Sequence, residues 1–359
     1  MSIRVLHAGH MRQPSIGVIR QMEYEQQAAT ELGINWVSSF YCSEKKDSPI
    51  TIQTPSGNGL IRSKRDFYCS LLDRAVNFDV IFLRYSMYDP QQLWFIHKCA
   101  VPVVTMHHTL EVPELLAYNN MRSRLLAQAE RLIGPHTLRQ AAANVGVTWE
   151  IAHYERSRSR DLSKPIFHYG NGATYDKDCV IPLTTKNKPY EFLCLASQFP
   201  VWTGLDLLLD AANKSTEDFK VHLVGRLSQE DKEALMSDNR FILHGMLDWP
   251  AIESLMGKCV LGLSAFALHR KGFTEGNTLK VREYLRAGLP VYAGHKEIFD
   301  EDFSYYRNGP VDIAKIIEYA DQVINTSRST VSESARKIID KTVVLSNIYR
   351  DLQTVVTHH

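Results

Sequence analysis

Short apolar runs alternate with stretches of helical periodicity along the whole chain. Residues 3–8, 36–41, 80–84 and 101–106 are mostly apolar over strand length, as strands covered on both faces require. Between them, residues 17–32, 64–76 and 90–100 space their apolar positions as helices do. Residues 122–132, 137–144 and 149–156 read as three further helices, and 165–169 as a short strand. Residues 43–63 are polar and carry Gly, Ser and Pro, which predicts a long loop or a small hairpin.

The alternation restarts after Gly170-Asn171-Gly172. Strands are predicted at 192–196, 220–224, 241–243, 260–264 and 291–293, with helices at 204–212, 229–236, 249–258 and 313–325. One or two helices over 332–356 close the chain. Two such series predict an α/β protein of two doubly wound domains, residues 1–170 and 171–339. A length of 359 residues allows two cores of ordinary size.

A net charge of +1 argues against a dedicated nucleic-acid binder. The first half is mildly basic and the second mildly acidic, which permits the first to approach an anionic membrane. The six cysteines form no Cys-x-x-Cys pair, so free thiols are expected over disulfides or a zinc site. The first residues run straight into a strand without a signal-peptide core, and no apolar stretch is long enough to span a bilayer. A cytoplasmic setting is therefore expected.

The most informative stretch runs from Gly272 to Val291. Glu275 and Glu283 bracket seven residues, the first before a Gly-Asn break and the second inside the helix that follows. Asn277 is the expected N-cap, Gly288 the residue after the C-cap, and Pro290 closes the segment. Val281, Tyr284 and Leu285 share one face, and Glu283 lies off it. Free amides, a positive dipole end and two hydroxyl-accepting carboxylates suit an anionic, polyhydroxylated ligand such as a nucleotide sugar. Ordinary capping, with Glu283 paired to Lys280 or Arg286, explains the same residues without a ligand.

This segment resembles the E-x7-E signature of family-4 (group 1) retaining glycosyltransferases of the GT-B fold. The resemblance implies two Rossmann-like domains with a cleft between them and a C-terminal helix, about 340–359, that crosses back to the N-terminal domain. It implies that Glu275 contacts donor sugar hydroxyls, the amides of Gly276, Asn277, Thr278 and Leu279 contact sugar and phosphate, and Glu283 contacts the ribose. The activity implied is hexose transfer, with retention, from a nucleoside-diphosphate sugar to a carbohydrate or lipid-linked acceptor, in cell-surface polysaccharide or glycolipid assembly. No catalytic metal and no cofactor beyond the donor substrate are expected. A peripheral position on the inner face of the membrane would follow. It is suggested by Arg122, Arg124, Arg131 and Arg139 interleaved with Leu125, Leu126 and Leu132, and by Arg156, Arg158 and Arg160 nearby. A surface helix with solvated arginines accounts for the same pattern.

Gly17, opening the first helix after Ala8-Gly9-His10, lets backbone approach an anion. His107 directly follows an apolar strand and is favoured over His108 to face sugar or acceptor, with no carboxylate or cysteine at metal-ligand spacing. Gly225 and Arg226 follow the strand that in the family turns under the base, and His244 ends another. The triplet Asp300-Glu301-Asp302 after Glu297 reads as a solvated surface turn. One departure matters. Gln198 and Thr203 stand where the family has an Arg and a Lys that hold the diphosphate. Arg226, Arg270, Lys271 and Lys280 remain to neutralise it. A non-catalytic scaffold of the same fold, or a nucleotide-sugar epimerase, is the alternative.

Overall fold

The computed structural model describes residues 2–12, 16–42, 47–53, 59–176 and 179–358. Two compact units result, Met1–Thr174 with Lys341–His359, and Tyr175–Asp340. The first contains β1 (Val5–Met11), α1 (Ile16–Leu32), β2 (Trp36–Cys42), β3 (Thr51–Gln53), α2 (Leu60–Ala75), β4 (Val80–Arg84), α3 (Pro90–Lys98), β5 (Val103–His107), α4 (Glu111–Ala117), α5 (Met121–Gln140), β6 (Ala143–Gly146), α6 (Trp149–Ser159) and β7 (Ile166–His168). The second contains β8 (Tyr190–Gln198), α7 (Leu205–Asn213), β9 (Phe219–Arg226), α8 (Gln229–Leu235), β10 (Phe241–Gly245), α9 (Trp249–Lys258), β11 (Leu261–Leu263), α10 (Leu279–Arg286), β12 (Val291–Ala293), β13 (Tyr306–Asn308), α11 (Ile313–Val323) and α12 (Arg328–Ile339). The last helix, α13 (Lys341–His358), belongs to the first unit.

All strand pairings are parallel, in the orders β3-β2-β1-β4-β5-β6-β7 and β10-β9-β8-β11-β12-β13. Each sheet grows outward from its first strand in one direction and then reverses. The reversal leaves a switch point between β1 and β4 in the first unit and between β8 and β11 in the second. At such a point the loops at the strand carboxyl ends diverge and open a ligand crevice. Central strands are covered on both faces, so Val80 to Leu83 and Leu261 to Leu263 are fully buried. That is why they read as unbroken apolar runs.

Four expectations need correction. Among described residues, β3 lies parallel to β2, so residues 43–63 form no hairpin there; 43–46 and 54–58 lie outside the described residues. Residues 122–140 form one helix in place of two, running through Gly134-Pro135. Gly134 faces Glu130 and Arg158, and a side chain there would meet both. Residues 143–146 are a buried strand between β5 and β7 where a helix over 137–144 was expected, and Asn144, Val145 and Gly146 are weak helix formers. The short elements α4 and β13 were not anticipated.

The closing helix is tied to the first unit by side chains far apart in sequence. Tyr349 Oη accepts from the Ile3 amide (3.0 Å) and donates to its carbonyl (2.7 Å). The Lys341 amide donates to Ala173 (2.9 Å). Its ammonium lies 4.4 Å from the centre of the Tyr169 ring. Tyr169 in turn donates to buried Glu25 (2.8 Å), which also accepts from Trp36 (2.6 Å) and Ser38 (2.8 Å) and meets His7 at 2.6 Å. Burial alone would raise the Glu25 carboxyl, but His7, Lys341 and Tyr169 hold it at about 2.

Lys341 is also buried, and desolvation lowers its pKa to about 8 against the opposing pull of Glu25. The fold thus favours the neutral amine. Between pH 8 and the ordinary lysine value of 10.5 the unfolded chain binds the extra proton, so stability gained from this group rises with pH through that window. Lys341→Met should remove the rise and stabilise the protein at pH 7 by up to about 3 kcal/mol. Urea unfolding of both proteins at pH 7 and pH 10 checks this; parallel midpoint changes would contradict it.

Candidate functional site

The loops that follow β8 and β11 meet at the second switch point. The Phe266 amide donates to Thr203 (2.9 Å) and the Ala267 amide to Trp202 (3.2 Å), joining the two loops. Gly204 (φ 77°) turns the chain from there into α7, with Phe266 and Ala267 against its Cα. Gly225, near the end of β9, has φ 139°, and a Cβ there would overlap the Ala196 carbonyl oxygen. Glycine is therefore needed to let β8 and β9 approach where the ladder shifts register.

Helix α10 is seated under this crevice by Tyr284, whose hydroxyl accepts from the Leu195 amide (2.7 Å) and donates to Leu193 (3.1 Å). Its N-cap is Thr278, one residue later than expected, and Thr278 Oγ1 lies 3.3 Å from Ser264 Oγ, just past β11. Gly288 follows the C-cap with φ 82°, as expected. Glu275 is half-buried. Around it the chain pairs with the segment after β12, with Gly276 N–H on Lys296 O (2.7 Å) and Lys296 N–H on Thr274 O (3.0 Å). Glu283 lies 3.4 Å from Arg286 Nε, the pairing that needs no ligand.

Beneath the loop is a carboxylate that the sequence did not reveal. Glu297, expected on the surface, has a fully buried side chain that accepts from the Thr278 amide (3.2 Å) and pairs with buried Arg282 at 2.7 Å. His295 Nε2 stands 3.7 Å from its other oxygen. Burial would raise the Glu297 carboxyl, yet Arg282 and His295 hold it below its ordinary value. The amides of Gly276 and Thr278 are thus occupied within the protein. Those of Leu279 and Lys280, in the first turn of α10, have no acceptor inside the helix. Asn277 is buried behind them, and Asp300, Glu301 and Asp302 are exposed.

The four candidate cations separate clearly. Arg270 is held by Asp206 through two contacts (2.9 and 2.6 Å), which removes it as a phosphate ligand. Lys271 lies over the Trp202 ring at 4.4 Å. Arg226 is exposed at the end of β9, beside Gln198 in the ladder. Lys280 is half-buried in the first turn of α10 and has no carboxylate within ion-pair distance among the described residues. Burial lowers its pKa. Thr203 is buried and Gln198 exposed, and neither side chain carries a charge. His244, at the end of β10, is 2.8 Å from His222, which is 2.9 Å from Glu191, and burial lowers its pKa.

The remaining candidates lie in the first unit. Gly17 is the second residue of α1. His107 is fully buried, with Nδ1 2.7 Å from Glu111, Nε2 3.0 Å from Thr105 and its ring stacked on Tyr85 at 4.3 Å. Both nitrogens are engaged, so the geometry gives His107 a structural role and leaves half-buried His108 as the accessible member of the pair. The expectation of no carboxylate near His107 also fails, because Glu111 and Glu155 offer oxygens within 4.8 Å of it. Arg158 already touches both, at 3.1 and 2.8 Å, and Glu130 as well, taking the place a cation would fill. Burial and Glu111 hold Glu155 well above the usual carboxylate range.

No family model matches the sequence, and no curated protein matches it. Solved structures do. The apo lipopolysaccharide outer core galactosyltransferase WaaB superposes with a TM-score of 0.65 at 10% identity, covering 98% of this chain and 99% of that one. Anabaena Alr3699/HepE in complex with UDP and glucose gives 0.65 at 13%, covering 98% and 100%. A putative UDP-N-acetylglucosamine 2-epimerase from Listeria monocytogenes gives 0.57 at 12%, covering 100% and 98%. At such identities the likeness shows the fold, the two-unit GT-B architecture, and a transferase and an epimerase share it.

The tight packing of the loop is testable. A Cβ on Gly276 would stand 2.6 Å from His295 Nε2. Gly276→Ala should cost about 1–3 kcal/mol by overpacking, and much less when introduced into His295→Ala. Additive losses in chemical denaturation would show that the two positions do not meet.

Proposed function

We propose that this protein is a glycosyltransferase that moves a hexose from a nucleoside-diphosphate sugar to an acceptor hydroxyl. The observation that carries the reading is the acidic loop and α10 assembled at the carboxyl ends of β8 and β11. There, first-turn amides and an ammonium without a carboxylate partner adjoin half-buried Glu275 and Glu283. In this role Glu275 binds sugar hydroxyls, Glu283 the ribose, and Lys280, with Arg226 and Lys271, the diphosphate. Gly225 keeps the strand ends close, and His244 borders the base.

The reaction breaks the bond from the anomeric carbon to phosphate oxygen and forms one to the acceptor oxygen. The acceptor proton passes to the departing phosphate, with retention of configuration. No metal or redox cofactor takes part in this scheme. Catalysis comes from holding the reactants together and from cations that stabilise the leaving diphosphate. A binding protein without turnover is the second reading, favoured by Gln198 and Thr203 and by the engagement of Arg270 with Asp206.

Calorimetry with UDP, GDP and ADP and their nucleosides tests the donor site. Lys280→Met should weaken diphosphate binding at least tenfold while leaving the nucleoside unaffected, and Glu283→Ala should weaken both by roughly 1.5–3 kcal/mol. Equal diphosphate affinity in Lys280→Met and the parent would remove Lys280 from the site. Nucleotide binding with no turnover of any nucleotide sugar would favour the scaffold.

The acceptor side is proposed to visit an anionic membrane. Met121, Leu125 and Leu132 in α5 are 73, 64 and 72% exposed and fall on one stripe, with exposed Arg122 on one flank and Arg124 and Arg131 on the other. Leu126 packs inward and Arg158 lies in the buried cluster, so these two leave the surface, whereas Arg139 stays exposed and bonds to the Ser159 carbonyl. No helix of the described residues is long and apolar enough to cross a membrane. Sedimentation with anionic vesicles should fall as salt rises and be lost in Leu125→Glu/Leu132→Glu. Equal binding to neutral vesicles would exclude a charge-dependent contact.

A further inference from the structure

Arg84 ends β4 at the switch point of the first sheet, and its Cβ lies against Gly9 of β1. Two other enclosed guanidinium groups have carboxylate counterparts, and a third, Arg328, is held by the Met256 and Cys259 carbonyls. Arg158 touches three carboxylates, and Arg282 pairs with Glu297. Half-buried Arg84 has no carboxylate within ion-pair distance among the described residues, and its hydrogen-bond partner is His108 Nε2 at 2.6 Å. Buried Glu25 acts on it only from beyond ion-pair distance, and a charge withdrawn from water without an adjacent counterion is costly unless something supplies the missing partner.

The contact fixes the chemistry of both groups. A guanidinium only donates, so His108 Nε2 accepts and the ring hydrogen sits on Nδ1. Burial and the adjacent Arg84 charge push His108 well below its ordinary pKa, which keeps the ring neutral. The pair therefore presents N–H donors and one positive charge, and an oxyanion satisfies it. Farther along the same edge, β6 leads into Trp149, which is 47% exposed and stacked on His168 of β7 (5.8 Å, 29°). The Val147 amide donates to the His107 carbonyl (3.0 Å), linking the approach to Trp149 with the residue before His108. With strands about 4.8 Å apart, two strand spacings put Trp149 roughly 10 Å from the end of β4. An indole this exposed suits the apolar side of a sugar ring.

We infer that this edge is an acceptor subsite for an anionic saccharide, its carboxylate or phosphate taken by Arg84 and the His108 Nδ1–H, and a ring face stacked on Trp149. The assignment to the acceptor rests on the transferase reading above.

Binding of D-glucuronate, glucose 6-phosphate and glucose to the full chain, followed by ligand-observed NMR titration, tests it, with UDP titrated in parallel. The parent protein should bind one or both anions at least tenfold more tightly than glucose, and the preferred anion distinguishes a carboxylate from a phosphate. Arg84→Met should abolish the preference, Arg84→Lys should keep part of it, and Trp149→Ala should weaken all three sugars alike. UDP affinity should not change in any variant. Absence of an anion preference in the parent, or its survival in Arg84→Met, overturns the inference. Loss of UDP affinity in Arg84→Met would instead assign Arg84 to the nucleotide phosphates and equally overturn it. A parent that binds the anions but no nucleotide would sink the donor reading and leave an anion site standing. Melting curves guard against misfolding, and partial rescue in Arg84→Lys separates lost charge from lost structure.

Discussion

A carboxylate with no access to water, Glu297, holds the acidic loop to the body of the second unit. It joins the N-terminal amide of α10 to a buried guanidinium on the next turn of the same helix and to the imidazole of His295. Removing one partner of such a group leaves the others charged and unpaired, typically at about 3–5 kcal/mol. The geometry above depends on it. Gly276 can lie against His295 because His295 is fixed from below, with Nδ1 2.9 Å from the Ala265 carbonyl. Residues 274–276 can then pair with 296, which sets where Glu275 leaves the backbone.

The two sheets were legible because parallel strands under helices are apolar on both faces, and few other structures produce that pattern repeatedly. Where the text was silent, tertiary contacts had overruled local preference. The alanine run 141–143 prolongs the helical pattern, yet the chain turns into a strand at 143–146 because β5 and β7 leave a slot between them. The Gly-Pro pair at 134–135 looks like a helix break, yet the small glycine is what admits the Arg158 side chain beside the helix.

The chemistry divided in the same way. Glu275 and Glu283 announced themselves through spacing and caps, which are local. Glu297 did not, since an acid three residues before an acidic triplet reads as surface, and its partner Arg282 stands fifteen positions earlier with no periodic relation to it. The adjacent histidines posed a similar problem. Following the strand was the right clue to the place but not to the direction. His107 turns inward toward Glu111, and Glu155 of a distant helix completes its enclosure. The switch point of each unit also keeps a cation without a carboxylate partner, Arg84 in the first and Lys280 in the second. Glu25, the acid whose charge reaches Arg84, is itself engaged by four side chains.

The return of α13 to the first unit has a consequence for synthesis. Ile3 finds its hydrogen-bonding partner 346 residues later, at Tyr349. Residues 175–340, in contrast, are continuous and need nothing from the flanking segments to complete their sheet. On the ribosome the interrupted unit is therefore begun first and finished last. Its first helix, with Glu25 facing inward, waits while an entire second unit is made and can fold. During that interval the face of α1 that α13 will cover is open to solvent, which makes it the natural place for a chaperone to hold the nascent chain.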